Sequence, residues 1–196
     1  MKQNIDRREF LKTAGSAALV MGGLGAITGC GGGKSEVAGE ELGGGEMTYR
    51  TNAVRGDKVS LLGYGCMRWP HKKVKDENGK EQEIIDQDMV NELVDYAMAH
   101  GVNYYDTSPA YLRGKSEQST GIALKRYPRE SYYVATKLSN FSRSTWSREA
   151  SIKMYHDSMR ELQVDYIDYY LLHSLGNDYG NFEQRYVVNG MLDYLQ

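Results

Sequence analysis

The sequence predicts an α/β fold in which a parallel β-sheet is covered by helices. Short apolar runs, typical of buried strands, alternate with helical patterns about four times along the chain. No G-x-G-x-x-G phosphate turn follows the first of these strands, which weakens the dinucleotide-binding form of a doubly wound sheet. A doubly wound sheet and a closed barrel both fit the alternation. Polar residues stand where successive strands end, and in a barrel those ends face one common pocket.

Composition places the chain among ordinary globular proteins. It has 196 residues, a net charge of −2 and a hydrophobic fraction of 40%, which suits one domain with appendages. The nearly balanced charge gives no indication of a nucleic-acid partner. The two cysteines, Cys30 and Cys66, lie in very different surroundings. This argues against a disulfide framework and against a metal site, such as zinc, made by this chain alone.

The N-terminal segment is typical of an export signal. Arg7 and Arg8 precede a Gly- and Ala-rich apolar run over residues 14–29. That run is shorter than the roughly 20 apolar residues that a membrane-spanning helix needs, and its layout is that of a secretory signal. The paired arginines and the following Glu-Phe-Leu-Lys resemble a twin-arginine signal, a route for proteins that are already folded. We therefore predict a signal peptide over residues 1–30 and a periplasmic or membrane-anchored protein.

Cys30 is the candidate lipidation site. The segment Ile-Thr-Gly-Cys at residues 27–30 resembles the lipobox of bacterial lipoproteins, in which the cysteine becomes the lipidated first residue. Such an anchor would hold the protein on a membrane without a spanning helix. The alternative is a secreted protein whose discarded peptide contains Cys30. Residues 31–46 are Gly-rich and predict a flexible tether, so the folded domain is expected over residues 47–196.

The first part of this domain predicts a hairpin, a strand and a helix. Short alternating runs flank the turn at residues 55–57, and an apolar strand pattern follows at 59–65. Residues 71–82, HKKVKDENGKEQ, are interpreted as an exposed charged loop. A helical pattern begins at Asp86 and stops at Gly101. Its predicted inner face consists of Met89, Leu93, Tyr96 and Ala97.

Three further strand–helix pairs complete the pattern. The predicted strands cover residues 102–105, 132–136 and 166–172. The predicted helices cover residues 116–127 and 147–162, and a last one begins within 185–196. Ser116 and Glu117 are expected to cap the helix that starts there. The domain therefore contains about four strand–helix units, half of what a complete (β/α)8 barrel needs.

Four side chains at the strand ends could carry out chemistry together. Asp106 follows the second strand, Lys137 the third and His173 the fourth, while Tyr111 lies on the loop after Asp106. A carboxylate beside an ammonium keeps both groups charged. A phenol is a weak acid near neutrality, and a nearby lysine favours its ionised form. Each residue alone also has an ordinary structural role, but together they suit protonation of an oxygen that gains charge, as when hydride adds to a carbonyl.

The segments YYDTSPAYLRGKSEQSTGIAL, YYVATKL and YIDYYLLHSL resemble the aldo/keto reductase superfamily, and GDKVSLLGYGCMRWP resembles its first barrel strand. The resemblance implies a TIM barrel that uses NADPH, less often NADH, to reduce a small-molecule aldehyde or ketone. It implies a catalytic tetrad of Asp106, Tyr111, Lys137 and His173. In it Tyr111 is the general acid, Lys137 tunes that tyrosine with Asp106 as its ion-pair partner, and His173 orients the carbonyl.

Three residues after the first strand are candidates for the substrate pocket. Cys66 and Met67 could line its mouth, and Trp69 could cover the substrate. Packing roles for Cys66 and Met67 and a surface position for Trp69 are the alternatives. No residue is assigned to cofactor binding, because the resemblance places the main NADP(H) contacts on later strands.

The chain is expected to be the N-terminal half of such a barrel. A half barrel leaves its first and fourth strands as unpaired edges, so we expect aggregation or dimerisation and weak cofactor binding. Exported members of the superfamily with twin-arginine signals sometimes carry a C-terminal iron–sulfur segment, which would lie beyond Gln196. The alternative function is a non-catalytic exported lipoprotein that uses the barrel as a binding or structural module. The four site residues favour the enzyme, and export away from cytoplasmic NADPH favours the alternative.

Overall fold

The structure is a computed structural model that describes residues 46–176 and 179–195. The predicted signal peptide, Cys30 and all but the last residue of the predicted tether lie outside these ranges. Within the two described ranges, no helix combines the length and apolar character required to cross a bilayer.

The described ranges contain eight strands and five α-helices, with short 3₁₀ turns and one π-helical turn. The strands are β1 (Tyr49–Thr51), β2 (Lys58–Ser60), β3 (Tyr64–Gly65), β4 (His71–Lys75), β5 (Glu81–Ile85), β6 (Tyr104–Asp106), β7 (Tyr133–Leu138) and β8 (Tyr169–Leu172). The helices are α1 (Gln87–Ala99), α2 (Ser116–Leu124), α3 (Arg148–Leu162), α4 (Tyr179–Phe182) and α5 (Met191–Leu195). The π-helical turn is Glu183–Val187.

Four parallel strands form the central sheet in the order β3-β6-β7-β8. Tyr64 of β3 pairs with Tyr105 of β6, and Tyr105 pairs in turn with Val134 of β7. Ala135 of β7 then pairs with Tyr169 of β8. Parallel neighbours need long crossover connections, and here these connections contain α1, α2 and α3. The prediction of a parallel sheet with intervening helices is therefore confirmed.

The main core lies between the sheet and the three longer helices. Its fully or almost fully buried members include Val90 and Val94 of α1, Leu124 of α2, Leu162 of α3, and Tyr105 and Val134 of the sheet. Full burial of each large apolar side chain stabilises the fold by about 1.5–3 kcal/mol relative to exposure. A second, smaller cluster joins β7 to the C-terminal segment through Leu138, Tyr186 and Met191.

The predicted first hairpin is present as β1 and β2, but the strand predicted at residues 59–65 is divided in two. The Ser60 hydroxyl donates to the Leu62 carbonyl, and the Ser60 N–H donates to the side-chain oxygen of Asn103. The chain then bends through the exposed residues 61–62 before β3 joins the parallel sheet. Local hydrogen bonds between side chains and the backbone therefore mark the place where the chain passes from the antiparallel hairpin to the parallel sheet.

Residues 71–82, predicted as a loop, form most of a second hairpin. Strands β4 and β5 pair antiparallel along their whole length. The Asp76 carboxylate accepts from the N–H groups of Asn78 and Lys80, and Gly79 has a φ of +75°. The dense charge of the segment obscured its strand character. The Asn-Gly pair is a strong hairpin signal and was the feature that could have predicted this turn.

The predicted limits of α1 agree with the structure, but its predicted inner face is displaced. The Asp86 carboxylate accepts from a backbone N–H of the first turn, and Gly101 follows the helix with a φ of +82°. The buried residues are Val90, Val94 and Ala97. Of the predicted face only Ala97 is buried, whereas Tyr96 is 67% exposed. The periodicity of the larger side chains indicated a stripe beside the true face, whereas the core formed with the sheet buries Val90 and Val94.

The start of α2 also differs from the predicted cap. The Ser116 hydroxyl donates to the Cys66 carbonyl over 2.7 Å and lies 2.8 Å from the Thr107 hydroxyl. Glu117 points between helix and sheet, where it is 2% exposed and accepts from the Thr136 hydroxyl over 2.6 Å. Burial raises the pKa of the Glu117 carboxyl. Both residues are therefore drawn inward, and they attach the helix to the strand ends.

Gly121 allows α2 to touch the C-terminal end of α3. A Cβ at this position would stand 2.6 Å from the Leu162 carbonyl oxygen and 2.7 Å from that of Glu161. We expect Gly121→Ala to lower the free energy of unfolding by roughly 1–3 kcal/mol through overpacking, although alanine is the better helix former. Urea denaturation followed by circular dichroism measures the change.

The matched control for that substitution is Gln118→Ala, on the exposed side of the same helix. Its stability should stay within about 0.5 kcal/mol of the wild type. A Gly121→Ala protein as stable as the wild type would show that the two helices can separate freely at this contact.

Candidate active site

Asp106 and Lys137 meet at the carboxyl-terminal edge of the sheet. Asp106 is the last residue of β6 and pairs with Ala135 of β7. Side chains two residues apart on a strand share a face. Lys137 therefore lies on the same face of β7 as Ala135, two residues closer to the carboxyl-terminal end of the strand. The Lys137 ammonium lies 2.5 Å from the Asp106 carboxylate and donates to the Thr107 carbonyl over 2.6 Å. The strand register thus creates the ion pair.

A tight turn returns Tyr111 toward this pair. The Ser108 hydroxyl accepts from the Ala110 N–H, and the Tyr111 N–H donates to the Ser108 carbonyl. The Lys137 ammonium then lies 4.8 Å from the centroid of the Tyr111 ring. A cation at this distance over an aromatic face is attracted by the electron density of the ring. The turn therefore places the phenol beside the lysine although Tyr111 comes five positions after Asp106 in the chain.

The two residues that follow Tyr111 have a strained backbone conformation. Leu112 and Arg113 have φ angles of 51° and 55°, in the left-handed region that side chains other than glycine seldom adopt. Together with the hairpin β4–β5, these two residues line a cavity of about 880 Å³ beside the site. Each residue held in such a conformation costs of order 1–3 kcal/mol and persists only where the surrounding structure imposes it.

His173 completes the group from the end of β8. Its backbone N–H donates to the Leu138 carbonyl, and its Nδ1 lies 2.7 Å from the Ser139 hydroxyl and 3.2 Å from that of Ser108. The imidazole meets the Tyr111 ring edge-on, with centroids 5.8 Å apart. In the described part of the chain, Nδ1 makes the hydrogen bonds of this ring, which leaves Nε2 available to a ligand.

The imidazole of His173 is held toward its neutral form. Burial and then the Lys137 cation lower the pKa of His173, while the Asp106 carboxylate opposes them. A histidine in the unfolded chain has a pKa of about 6.5. Just below that pH, the unfolded chain therefore binds more protons at this residue than the folded chain does. The stability that this group contributes is therefore complete above about pH 6.5 and is lost as the pH falls toward the folded pKa.

Two of the three residues expected to line a substrate pocket have their side chains buried in the core. Cys66 is fully buried in the main core, and burial raises the pKa of its thiol to about 12. Trp69 is 2% exposed, stacks on Tyr64 and donates its indole N–H to the Thr120 hydroxyl. Only Met67, at 43% exposed, has an accessible side chain. The 3₁₀ turn after β3 directs Cys66 and Trp69 inward, so both act in packing.

Sequence reasoning missed the two serines that contact His173. Ser108 and Ser139 also contact each other, with hydroxyl oxygens 2.9 Å apart. Ser139 stands two residues after Lys137, at the end of the same strand, and this spacing was the available signal. Arg185, which donates to the backbone carbonyl of His173, carried no such signal, because its segment was predicted as an ordinary helix.

Comparison with known proteins identifies the family. The model for the aldo/keto reductase family matches residues 61–187, a span that includes all four residues of the site. The chain belongs to the aldo/keto reductase family. Among curated relatives, it is 32% identical over 144 residues to L-galactose dehydrogenase of Arabidopsis thaliana, a match that covers 72% of this chain and 41% of that protein.

Two further similar proteins are bacterial. Aldo-keto reductase YhdN of Bacillus subtilis is 33% identical over 133 residues, covering 65% of this chain and 38% of that protein. A solved aldo-keto reductase of Bacillus halodurans in its holo form gives a TM-score of 0.51 at 31% identity, covering 64% of this chain and 40% of that one. The chain spans about two fifths of the length of these proteins. The similar structures indicate an α/β fold of TIM-barrel type.

The pKa of His173 provides a test of the site's geometry. We expect Lys137→Met to raise the pKa of His173, because the substitution removes a nearby cation and leaves the Asp106 carboxylate unpaired. A pH titration of the imidazole signals by NMR measures the shift. Lys153→Met, which breaks an exposed ion pair on α3, is the control and should leave the His173 titration unchanged. A lowered or unaltered pKa in Lys137→Met would mean that the two groups do not interact.

Proposed function

We propose that the protein is an NAD(P)H-dependent oxidoreductase that interconverts a carbonyl compound and its alcohol, with Tyr111 as proton donor in reduction. The observation that carries this proposal is the convergence of Asp106, Lys137, Tyr111 and His173 at one edge of the sheet. Membership of the aldo/keto reductase family supports the reaction class. The activity is that of the whole protein to which this chain belongs.

Each side chain has a distinct task in the proposed reaction. As hydride adds to the carbonyl carbon, negative charge develops on the oxygen, and the Tyr111 hydroxyl transfers its proton there to give the alcohol. The phenolate that remains is stabilised by the Lys137 ammonium. The Asp106 carboxylate and the Thr107 carbonyl hold that ammonium in place through two of its three N–H donors.

His173 would orient the substrate rather than transfer the proton. In the tautomer whose Nδ1 accepts from the Ser139 hydroxyl, Nε2–H can donate to the carbonyl oxygen. A donor aimed at the position of developing charge lowers the barrier because it requires no reorganisation during the reaction. The lowered pKa of His173 keeps this ring neutral near pH 7, so it does not compete with Tyr111 as an acid.

The cofactor proposed is NADP(H), which supplies the hydride when bound. The set of groups present suits such a partner, since a proton donor, a cation and a hydrogen-bond donor lie at one edge of the sheet while none of them supplies electrons. The Asp106 side chain keeps 31% of its surface exposed, so this edge is open to a second molecule. The edge formed by β6, β7 and β8 would hold the reacting end of the cofactor.

Location is a separate proposal that depends on the N-terminal sequence. We propose that residues 1–30 direct export by the twin-arginine route, that Cys30 is lipidated, and that residues 31–46 separate the domain from the membrane. Export of a folded protein would allow the cofactor to be acquired before transport. A protein that keeps the fold as a non-catalytic binding module is the alternative outcome of the experiment below.

Tyr111→Phe tests the proposed reaction in the whole protein that contains this chain. We expect NADPH-dependent reduction of an aldehyde panel to fall by roughly 10²- to 10⁴-fold, the usual contribution of a general acid, while ligand binding persists because only a hydroxyl is lost. Oxidation of NADPH is followed by absorbance, and binding by calorimetry.

Tyr96→Phe is the matched control for Tyr111→Phe. Tyr96 is 67% exposed on α1, away from the sheet edge, and its substitution should leave the rate within about twofold. Full activity in Tyr111→Phe would eliminate this tyrosine as the proton donor. Absence of reduction in the wild-type protein, with ligand binding retained, would favour the binding module.

A further inference from the structure

The π-helical turn Glu183–Val187 reaches the candidate active site through two consecutive side chains. Arg185 and Tyr186 both turn inward and both donate to the same atom, the backbone carbonyl oxygen of His173. The distances are 2.8 Å from Arg185 Nη2 and 3.2 Å from the Tyr186 hydroxyl. The wider spacing of a π-turn allows adjacent residues to face one side, and such turns occur frequently at functional sites.

The Arg185 guanidinium is almost completely withdrawn from water. The residue is 6% exposed, and its other donors bind the Ser174 carbonyl over 3.0 Å and the Asn140 side-chain oxygen over 3.1 Å. The guanidinium also lies 4.8 Å from the centroid of the Tyr186 ring. Burial of a cation is costly unless hydrogen bonds compensate for it. Here neutral oxygens of the loop after β8 and of the loop after β7 supply that compensation.

The bonds of Arg185 fall where the backbone is strained. Ser174 has a φ of 53°, a left-handed conformation that is unfavourable for a serine. Its carbonyl is one of the two backbone oxygens that Arg185 binds. On the other side, the His173 N–H is held by Leu138 of β7. The peptide groups on both sides of His173 are therefore fixed, and this determines the direction in which the Cα–Cβ bond of His173 points.

We propose that Arg185 is a positioning residue that holds the imidazole of His173 in the site. Its fork of N–H groups joins the carbonyls of His173 and Ser174 to Asn140 and so keeps the strained loop end in one conformation. This inference deepens the proposed function, since it matters for reduction only if His173 orients the substrate. The geometry of His173 can nevertheless be measured without any turnover.

A purely structural role for Arg185 would predict a different result. Arg185 could serve only to attach the C-terminal segment to the sheet. Arg148 has such a role for α3, since it attaches the segment to that helix through its bond to the Gly190 carbonyl. Loss of either arginine would then reduce stability and leave the orientation of the imidazole unchanged. The orientation of the His173 ring is therefore the measurement that separates the two roles.

The test compares Arg185→Gln with Arg148→Gln in the full chain by NMR. In the wild type, nuclear Overhauser effects should connect the His173 ring to the Phe141 ring, 4.9 Å away between centroids, and to Tyr111. We expect Arg185→Gln to weaken these effects, to shift the ring ¹⁵N signals of His173, and to speed amide exchange around Ser174 by roughly tenfold or more. Arg148→Gln should change none of them. The rings of His71, His100 and His156 serve as internal references.

Two further variants separate geometry from charge and guard against misfolding. Three charged groups act on His173: Lys137, Asp106 and Arg185. Arg185→Lys keeps the positive charge at position 185 but lacks the planar fork of N–H donors. We expect it to disturb the ring contacts almost as much as glutamine does. Tyr186→Phe removes one donor to the same carbonyl and retains the ring, and it should produce a smaller change in the same direction.

Unchanged His173 ring signals in a folded Arg185→Gln protein would overturn the proposal. If that variant does not fold, unchanged signals in Arg185→Lys and Tyr186→Phe would overturn it equally. In the whole protein, Arg185→Lys should lower kcat more than it alters KM for the carbonyl substrate. A displaced ring without any wild-type reductase activity would support Arg185 as the positioning residue and reject the proposed function, so the two failures are distinguishable.

Discussion

The ion pair between Lys137 and Asp106 is the interaction on which the arrangement of the site depends. Lys137 is 9% exposed, and an ammonium at that depth requires a counter-charge and further acceptors. The Asp106 carboxylate and the Thr107 carbonyl provide both within 2.6 Å. Because these groups come from the ends of adjacent parallel strands, the ion pair can form only when β6 and β7 are paired in the observed register. A shift by one residue would turn Lys137 to the other face of the sheet.

Hydroxyl groups connect this charged pair to the rest of the molecule. Thr107 follows Asp106, and its hydroxyl meets that of Ser116, which in turn donates to the Cys66 carbonyl after β3. On the other side, Ser108 and Ser139 join β6, β7 and the imidazole of His173. Short hydroxyl side chains suit this position, since each both donates and accepts in little space. The edge of the sheet is thus a hydrogen-bonded layer above an apolar core.

The two sides of the site are stabilised by different means. On the side of α1 and α2, apolar burial stabilises the sheet, and α2 packs closely against the end of α3 at Gly121. On the side of β8, a smaller cluster around Tyr186 and Met191 is supplemented by the buried guanidinium of Arg185. On this side, hydrogen bonds from Arg185 to backbone carbonyls provide stabilisation that apolar packing provides on the other side. The same bonds link the strained backbone at Ser174 to the position of the His173 imidazole.

Much of the site could be predicted from sequence because strand ends are a local property. Asp106, Lys137 and His173 each follow an apolar run, and the parallel topology that brings such ends together follows from the alternation of strands and helices. The turn that returns Tyr111 begins at Ser108, a residue that forms such turns readily. The hairpin β4–β5 was also accessible through its Asn-Gly pair, although the surrounding charges suggested a loop.

What the amino-acid sequence alone determined was the order of the elements and the residue types at their ends. The tertiary structure decided which side chains turn inward. Cys66, Trp69 and Glu117 become core residues, and Val90 and Val94 displace Met89 and Tyr96 on α1. It also placed Arg185 against the backbone of His173 across a loop. Such choices depend on space and hydrogen-bond partners supplied by segments distant in the chain, and local periodicity carries no information about those partners.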